Sequence, residues 1–404
     1  MSIQAEPSIR LNDSTFHTFE AEDAFRFLRE HSPVHWYPDL NTWIVTKHSD
    51  IRSVSRDNEH YTVTDGIELN TIALQELASE PMFGDGGEFL AFVDPPRHTI
   101  LRKALASTFT ARAVATREQR IRELALGLVD DIPPGEVVDW VHVAQRLPVM
   151  VALNLLGLPI EDVDQVRGWS EAMERLSYPL TPAEMAQAQA DFLPLSHYLS
   201  EWIARKSVTP ADDLTSRLLE VQRDDESITD ANVLMLLITV LAAGNDTMRS
   251  LLTGMVVALT DHPNQLEILS SKPTLVPDTI EESLRWVTPA RGFLRTVSAP
   301  TTLRGVNLEQ GQRVYLAYDS ANRDEELFDR PYIFDIERPR TQQAAFGFGT
   351  HVCIGAAFAR MEASALLTAL LDRFPRFESA EPAEKMIAVL RNGWHSAPMR
   401  FFER

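Results

Sequence analysis

AAFGFGTHVCIGAAFAR, residues 344–360, contains Cys353, the only cysteine among 404 residues. Gly347, Gly349 and Gly355 stand close to it, and a good helix-forming sequence comes directly after. Glycines let a backbone wrap tightly around a side chain. A helix that begins near Ala356 points its free N–H groups back at the sulfur. Such a terminus stabilises negative charge and lowers a thiol pKa. The loop therefore suits a thiolate. From these residues alone, two readings stand beside that one. The first is a buried, inert cysteine. The second is a nucleophile, for which His351 is the nearest candidate base.

A lone cysteine forms no intramolecular disulfide, which fits a reducing compartment. No apolar run stands behind a basic start at the N-terminus, so no signal peptide is expected. The most apolar window, residues 233–244, is about half of a membrane span, and Asn245, Asp246 and Arg249 interrupt the residues after it. A cytoplasmic protein without a membrane span is expected. The net charge is −20, from 38 basic and 58 acidic side chains. That surface repels nucleic-acid phosphates and acidic membranes, so no nucleic-acid partner is expected. No repeat or low-complexity linker divides the chain, and residues 1–404 read as one domain, with 1–20 as an N-terminal extension.

Helical periodicity dominates. It predicts helices over 21–31, 47–57, 98–107, 115–131, 140–156, 183–206, 229–261, 276–287 and 356–373. Strand patterns occur at 42–47 and within 294–318, with turns at Gly305–Asn307 and at Gln310-Gly311. These patterns predict a mainly-α fold of α+β character, a helix-rich body with a small β-sheet region. Residues 61–92 and 176–188 fit neither pattern. Loops that long often cover a binding site, so both are expected to be substrate-access segments.

The spacing around the cysteine, Phe346-Gly347-x-Gly349-x-His351-x-Cys353-x-Gly355, resembles the haem-binding signature of the cytochrome P450 family at every position. The resemblance implies a P450-like fold with haem b (iron protoporphyrin IX) between a long central helix and the cysteine loop. It implies that Cys353 is the axial ligand of the haem iron, donating electron density. It places Phe346, Gly347 and Gly355 against the ring and His351 at a propionate.

Other segments carry the same resemblance. Residues 229–261 predict a helix of about 45–50 Å, with Thr229 or Asp230 as its N-cap. Gly244 in its interior costs about 1 kcal/mol against alanine. Asn245, Asp246 and Thr247 then break an apolar run. A Thr hydroxyl can bond a carbonyl one turn back, opening a groove. Ala243-Gly244-x-Asp246-Thr247 is similar to the family's oxygen-activating motif, which implies orientation by Thr247, proton relay by Asp246 and a wall beside O2 from Ala243 and Gly244. Glu282 and Arg285, at i and i+3 on a helix, can meet. They resemble the family's E-x-x-R pair, with Arg338 as its third, structural member. His98 and Arg102, four apart on one face, resemble its propionate-binding pair, and Arg295 the third such ligand.

The resemblance spans about residues 22–401 and looks like the bacterial class. It implies a haem-thiolate monooxygenase that inserts one atom of O2 into a C–H bond of a lipophilic small molecule, a terpenoid, a steroid or similar. A polyketide, macrolide or other secondary-metabolite intermediate is the alternative. A peroxygenase or a non-catalytic haem protein fits less well with Asp246 and Thr247 in place. Val240, Phe293, Leu294 and Trp394 are the expected pocket residues. Arg291, near them, is expected to face water. No flavin or iron–sulfur segment is present, so electrons are expected from a ferredoxin and its ferredoxin reductase. Arg97, Lys103, Arg112 and Arg360 are the candidate docking patch.

Overall fold

The computed structural model describes residues 7–69, 87–175 and 180–403, apart from the side chains of residues 173 and 174. Helix Asp230–Asp261 runs through the centre. A capping box starts it: the Thr229 hydroxyl accepts from Asn232 N, and the Asn232 side chain accepts from Thr229 N. Its length and composition would suffice to cross a membrane, but 61% of the apolar stretch is buried inside the fold. It is a core helix. Packed around it are helices Arg146–Leu156, Val163–Arg175, Pro182–Val208, Val276–Val287 and Ala356–Arg373.

The sheet lies to one side. Strands Val34–Tyr37, Thr42–Val45, Arg313–Ala317, Gly292–Val297 and Tyr61–Thr62 hydrogen-bond in that order. Thr42 pairs with Arg313 in parallel, and Gly292–Val297 runs antiparallel to Arg313–Ala317. Strand Gly292–Val297 comes directly after the Glu282/Arg285 helix, so the sheet delivers Phe293 and Arg295 to the same region as the central helix.

Several expectations are corrected. Residues 7–20 are part of the body, not an extension: Leu11 and Phe16 are fully buried and pack with Tyr315 and Leu294. The helix expected over 140–156 breaks at Gln145, and Pro148 falls in the first turn of the second piece, where its missing N–H costs nothing. Residues 61–92 are not loop throughout, since Tyr61–Thr62 joins the sheet and Leu90–Phe92 forms a 3-10 turn; residues 70–86 lie outside the described residues. Of 176–188, residues 176–179 lie outside the described residues. A capping box at Thr181 starts a helix at Pro182, so most of the rest is helix. The C-terminal strands Arg376–Ser379 and Pro398–Phe402, which pair with each other, went unforeseen; the other neighbour of Pro398–Phe402, Val137–Asp139, is about 260 residues away in sequence.

Glu282 and Arg285 are 4% and 1% exposed. Arg285 Nε and Nη2 donate to the two Glu282 oxygens at 2.8 and 2.7 Å. Arg338 Nε approaches the same carboxylate at 3.1 Å, and Asp335 N donates to it at 2.9 Å. Arg285 also donates to the carbonyls of Asn322, Pro331 and Ile333. The Asn322 side chain accepts from Ala344 N at 2.7 Å, at the entrance to the cysteine loop. Glu282→Gln leaves two buried guanidiniums short of a counter-charge. It should lower the unfolding free energy by about 3–5 kcal/mol, read from urea midpoints. Glu337→Gln, in the exposed pair with Lys272, should change it by less than about 0.5 kcal/mol.

Candidate active site

The cysteine loop folds back on itself before the helix starts. Cys353 N donates to Phe346 O at 2.8 Å, and Gly347 N to Ala344 O at 2.9 Å. Gly347 and Gly349 have φ of 65° and 69°. A Cβ on Gly349 would also lie 2.0 Å from Ser55 O, so only glycine lets the loop seat against the end of helix His48–Val54. Gly355 has φ −80°, and a Cβ there would meet only Cys353 Sγ, at 3.8 Å. Nothing in the polypeptide itself demands glycine at 355.

Cys353 has accessible surface, and that surface faces a cavity of about 400 Å³. Burial pushes its thiol pKa up; the Gly355 N–H, Arg102 and Arg360 pull the other way and do not win. The helix terminus was expected to lower it. For the polypeptide alone, desolvation is the larger effect.

The opposite wall is the central helix. Val240, Ala243, Gly244 and Thr247, spaced i, i+3, i+4 and i+7, line the cavity on one helical face. The Thr247 hydroxyl donates to Ala243 O at 2.9 Å. The helix stays continuous through this stretch, so the open space comes from the small residues. A Cβ on Gly244 would meet nothing within 4 Å. Asp246 also borders the cavity, with Arg249 at 3.7 Å and Arg391 at 4.0 Å from its carboxylate.

At the cavity edge stand His98, Arg102, Arg295 and His351. His98 is 1% exposed and neither of its ring nitrogens has a partner; His351 Nε2 also lacks one. The two rings lie 4.3 Å apart. Burial, reinforced by neighbouring cations, holds His98 down to about 4 and His351 to about 3. Burial also lowers the Arg102 and Arg295 guanidiniums. Arg102 Nη2 donates to the backbone carbonyl of Val352, and Arg295 Nη1 to that of Leu294, with the Tyr318 hydroxyl as a further neighbour of Arg295. Buried donors without acceptors are costly. Among the described residues no carboxylate forms an ion pair with this cluster, although Asp94 lies near enough to act on His98 and Arg295. A flat, largely apolar group bearing two carboxylates and a thiolate-seeking metal matches the donors, the cavity and the sulfur, so the residues fit haem. Phe346 also lines the cavity, its ring covered by Arg360 at 4.6 Å.

Four expectations fall differently. Phe293 lines the cavity but Leu294 does not: neighbours on a strand face opposite ways, and Leu294 packs with Leu11 and Phe16. Trp394 packs on the central helix, where a Cβ on Gly254 would strike its ring. Arg291 does not face water but is 6% exposed, and donates to Asn392 at 3.1 Å. Among the docking candidates, Arg97 pairs with Glu88 and Arg360 with Glu281. Lys103 and Arg112 are exposed. Arg52 and Arg56, also exposed and beside the Gly349 contact, were not foreseen.

Glu362, on the cysteine helix, was not foreseen either. It is 5% exposed, lines the cavity, and its Oε2 has no partner. Burial pushes its carboxyl up to about 8. Its folded pKa exceeds the unfolded one, so its contribution is present below the usual carboxylate range and is lost as pH rises towards 8. Glu362→Gln fixes the neutral form. The fall in stability between about pH 5 and about pH 8 should shrink by a few kcal/mol in the variant, measured by denaturation at both values.

The family model described as cytochrome P450 matches residues 270–390. Cytochrome P450 107B1 of Saccharopolyspora erythraea is 34% identical over 370 residues, 89% of this chain and 89% of its own. The steroid C26-monooxygenase of Mycolicibacterium smegmatis is 31% identical over 380 residues, 91% of this chain and 86% of its own. Among solved structures, a mutant of P450 EryK in complex with erythromycin B is similar with a TM-score of 0.83 at 29% identity, over 94% of this chain and 96% of that one.

Proposed function

This chain belongs to the cytochrome P450 family, whose members bind haem and act as oxidoreductases, and from that premise we propose that it is a ferredoxin-dependent, cytoplasmic monooxygenase that inserts one atom of O2 into a C–H bond of a lipophilic small molecule. The observation that carries the reading is the Cys353 thiol facing the Gly244–Thr247 wall across one cavity.

Haem, when bound, supplies the redox chemistry, consuming two electrons and two protons as one oxygen atom enters the substrate and the other leaves as water. Cys353 would hold it through the sulfur, with the loop fixed by Gly347 and Gly349. His98, Arg102, Arg295 and His351 would hold its carboxylates. Glu282, Arg285 and Arg338 hold the loop's approach. Ala243 and Gly244 keep the central-helix wall of the cavity small, and Thr247 would present its hydroxyl there. Asp246, buried next to Thr247 and near two guanidiniums, would relay protons into the site. We take residues 1–404 as one domain. Its access segment includes Ile67, Glu68 and Phe89–Phe92, all lining the cavity.

The lining supports a lipophilic substrate: Leu90, Phe92, Leu105, Val240, Pro289 and Phe293 are all apolar. Steroids and macrolides, named for two of the relatives, are both of that class. A ferredoxin would meet the cysteine side through exposed cations, for which Lys103, Arg112, Arg52 and Arg56 are the candidates on an otherwise acidic protein.

Two measurements test the reading. Reduced protein under carbon monoxide should show the strongly red-shifted Soret band of thiolate-ligated haem, and Cys353→Ala should lose it. A band typical of histidine ligation, or no haem, overturns the assignment of Cys353. Thr247→Ala should keep the band and substrate binding. Product per reductant consumed should fall by about tenfold or more, with the excess recovered as hydrogen peroxide. Unchanged coupling would remove Thr247 from the proton path.

A further inference from the structure

We propose that Arg391 selects the substrate by binding a carboxylate carried on an otherwise apolar molecule, so that lipophilic acids are preferred over neutral lipids. This rests on the monooxygenase reading above and deepens it.

Arg391 comes from the C-terminal turn, bridged through its backbone to Ala290, and its side chain borders the same cavity as Val240 and Phe293. It comes from a different segment of the chain than His98, Arg102, Arg295 and His351. Among the described residues its guanidinium makes no hydrogen bond, and its Nε is buried without a partner. Its side chain is 14% exposed. The one ion contact it makes among them is Asp246 Oδ2 at 4.0 Å, beyond hydrogen-bond reach. Arg249 approaches that carboxylate at 3.7 Å from the other side. Asp246 is thus shared between two guanidiniums, and it leaves the Arg391 donors without an acceptor. A guanidinium in that state is costly to bury in an apolar chamber. It is poised to accept an anion.

The geometry favours a carboxylate over a lone carbonyl. The guanidinium offers a planar fork of donors that matches two carboxylate oxygens, and a charged acceptor strengthens each bond. A ketone or ester supplies one acceptor and no charge. An acid would also draw Arg391 away from Asp246, leaving the proton-relay carboxylate less clamped when substrate is present than when the chamber is empty.

The test uses the haem-loaded full-length protein and two acid–ester pairs of different shape: dodecanoic acid with methyl dodecanoate, and abietic acid with methyl abietate. Dissociation constants come from the haem spin-state shift. In the wild type, at least one acid should bind roughly ten- to hundred-fold more tightly than its ester. In Arg391→Gln the ratio should collapse to within about threefold through weaker acid binding, while Arg391→Lys, which keeps the charge but not the fork, should fall between. No acid preference with either skeleton, including no binding of any of the four, overturns the proposal, and the wild-type comparison decides this even if Arg391→Gln fails to load haem. A preference that survives in Arg391→Gln overturns it as well. A wild type lacking the red-shifted carbon monoxide band sinks the underlying monooxygenase reading. With that band present, only the assignment to Arg391 is at stake.

Discussion

One buried carboxylate, Glu282, holds the architecture of the site together. It takes two hydrogen bonds from Arg285, a third contact from Arg338 and a fourth from the Asp335 backbone. Arg285 spends its remaining donors on the carbonyls of Asn322, Pro331 and Ile333, which fixes the meander leading to the cysteine. Asn322 then passes the constraint on, by accepting from Ala344 N. The loop around Cys353 therefore hangs from a charge pair some 70 residues earlier in the chain. Ion pairs of this kind add little net stability over an apolar core, yet losing one partner is severe. Their value here is positional: several backbone carbonyls are held in register by one planar group.

The inside of the site inverts the outside. The chain carries a charge of −20, yet the cavity edge gathers His98, Arg102, Arg295 and His351, and its inner wall adds Arg391. Desolvation drives the edge histidines towards their neutral forms, and it pushes Glu362 in the same direction from the other sign. In a low-dielectric chamber every unpaired charge is shed, shared or reserved for a ligand.

Much of this was legible in the sequence. The central helix, its Thr229 cap and the cysteine helix announced themselves through long periodic runs and clear end signals. The cysteine loop was legible because its glycines and cysteine are local to one another. What could not be read depends on distant partners. Arg391 lies about 145 residues after Asp246, and no local pattern links them. The burial of Leu11 and Phe16 depends on the far strand that carries Tyr315. Leu294 shows a different failure. Strand alternation was available and placed it opposite Phe293, yet both were expected in the pocket. Trp394 failed in the same way, because a large apolar side chain fills a core more often than a cavity.

The parallel pairing of Thr42–Val45 with Arg313–Ala317 has a consequence for how the chain reaches this state. It joins segments about 270 residues apart, so its closure entropy must be met before the contact rewards it. The hydrogen bonds inside each helix between them are local and form sooner. Strand Gly292–Val297, which carries Phe293 and Arg295 into the cavity, lies on the other edge of that late-pairing strand. Individual helices can therefore form while the sheet side of the chamber is still open. Admission of a large prosthetic group during biosynthesis then has a natural window, which ends when the two far parts of the chain zip together.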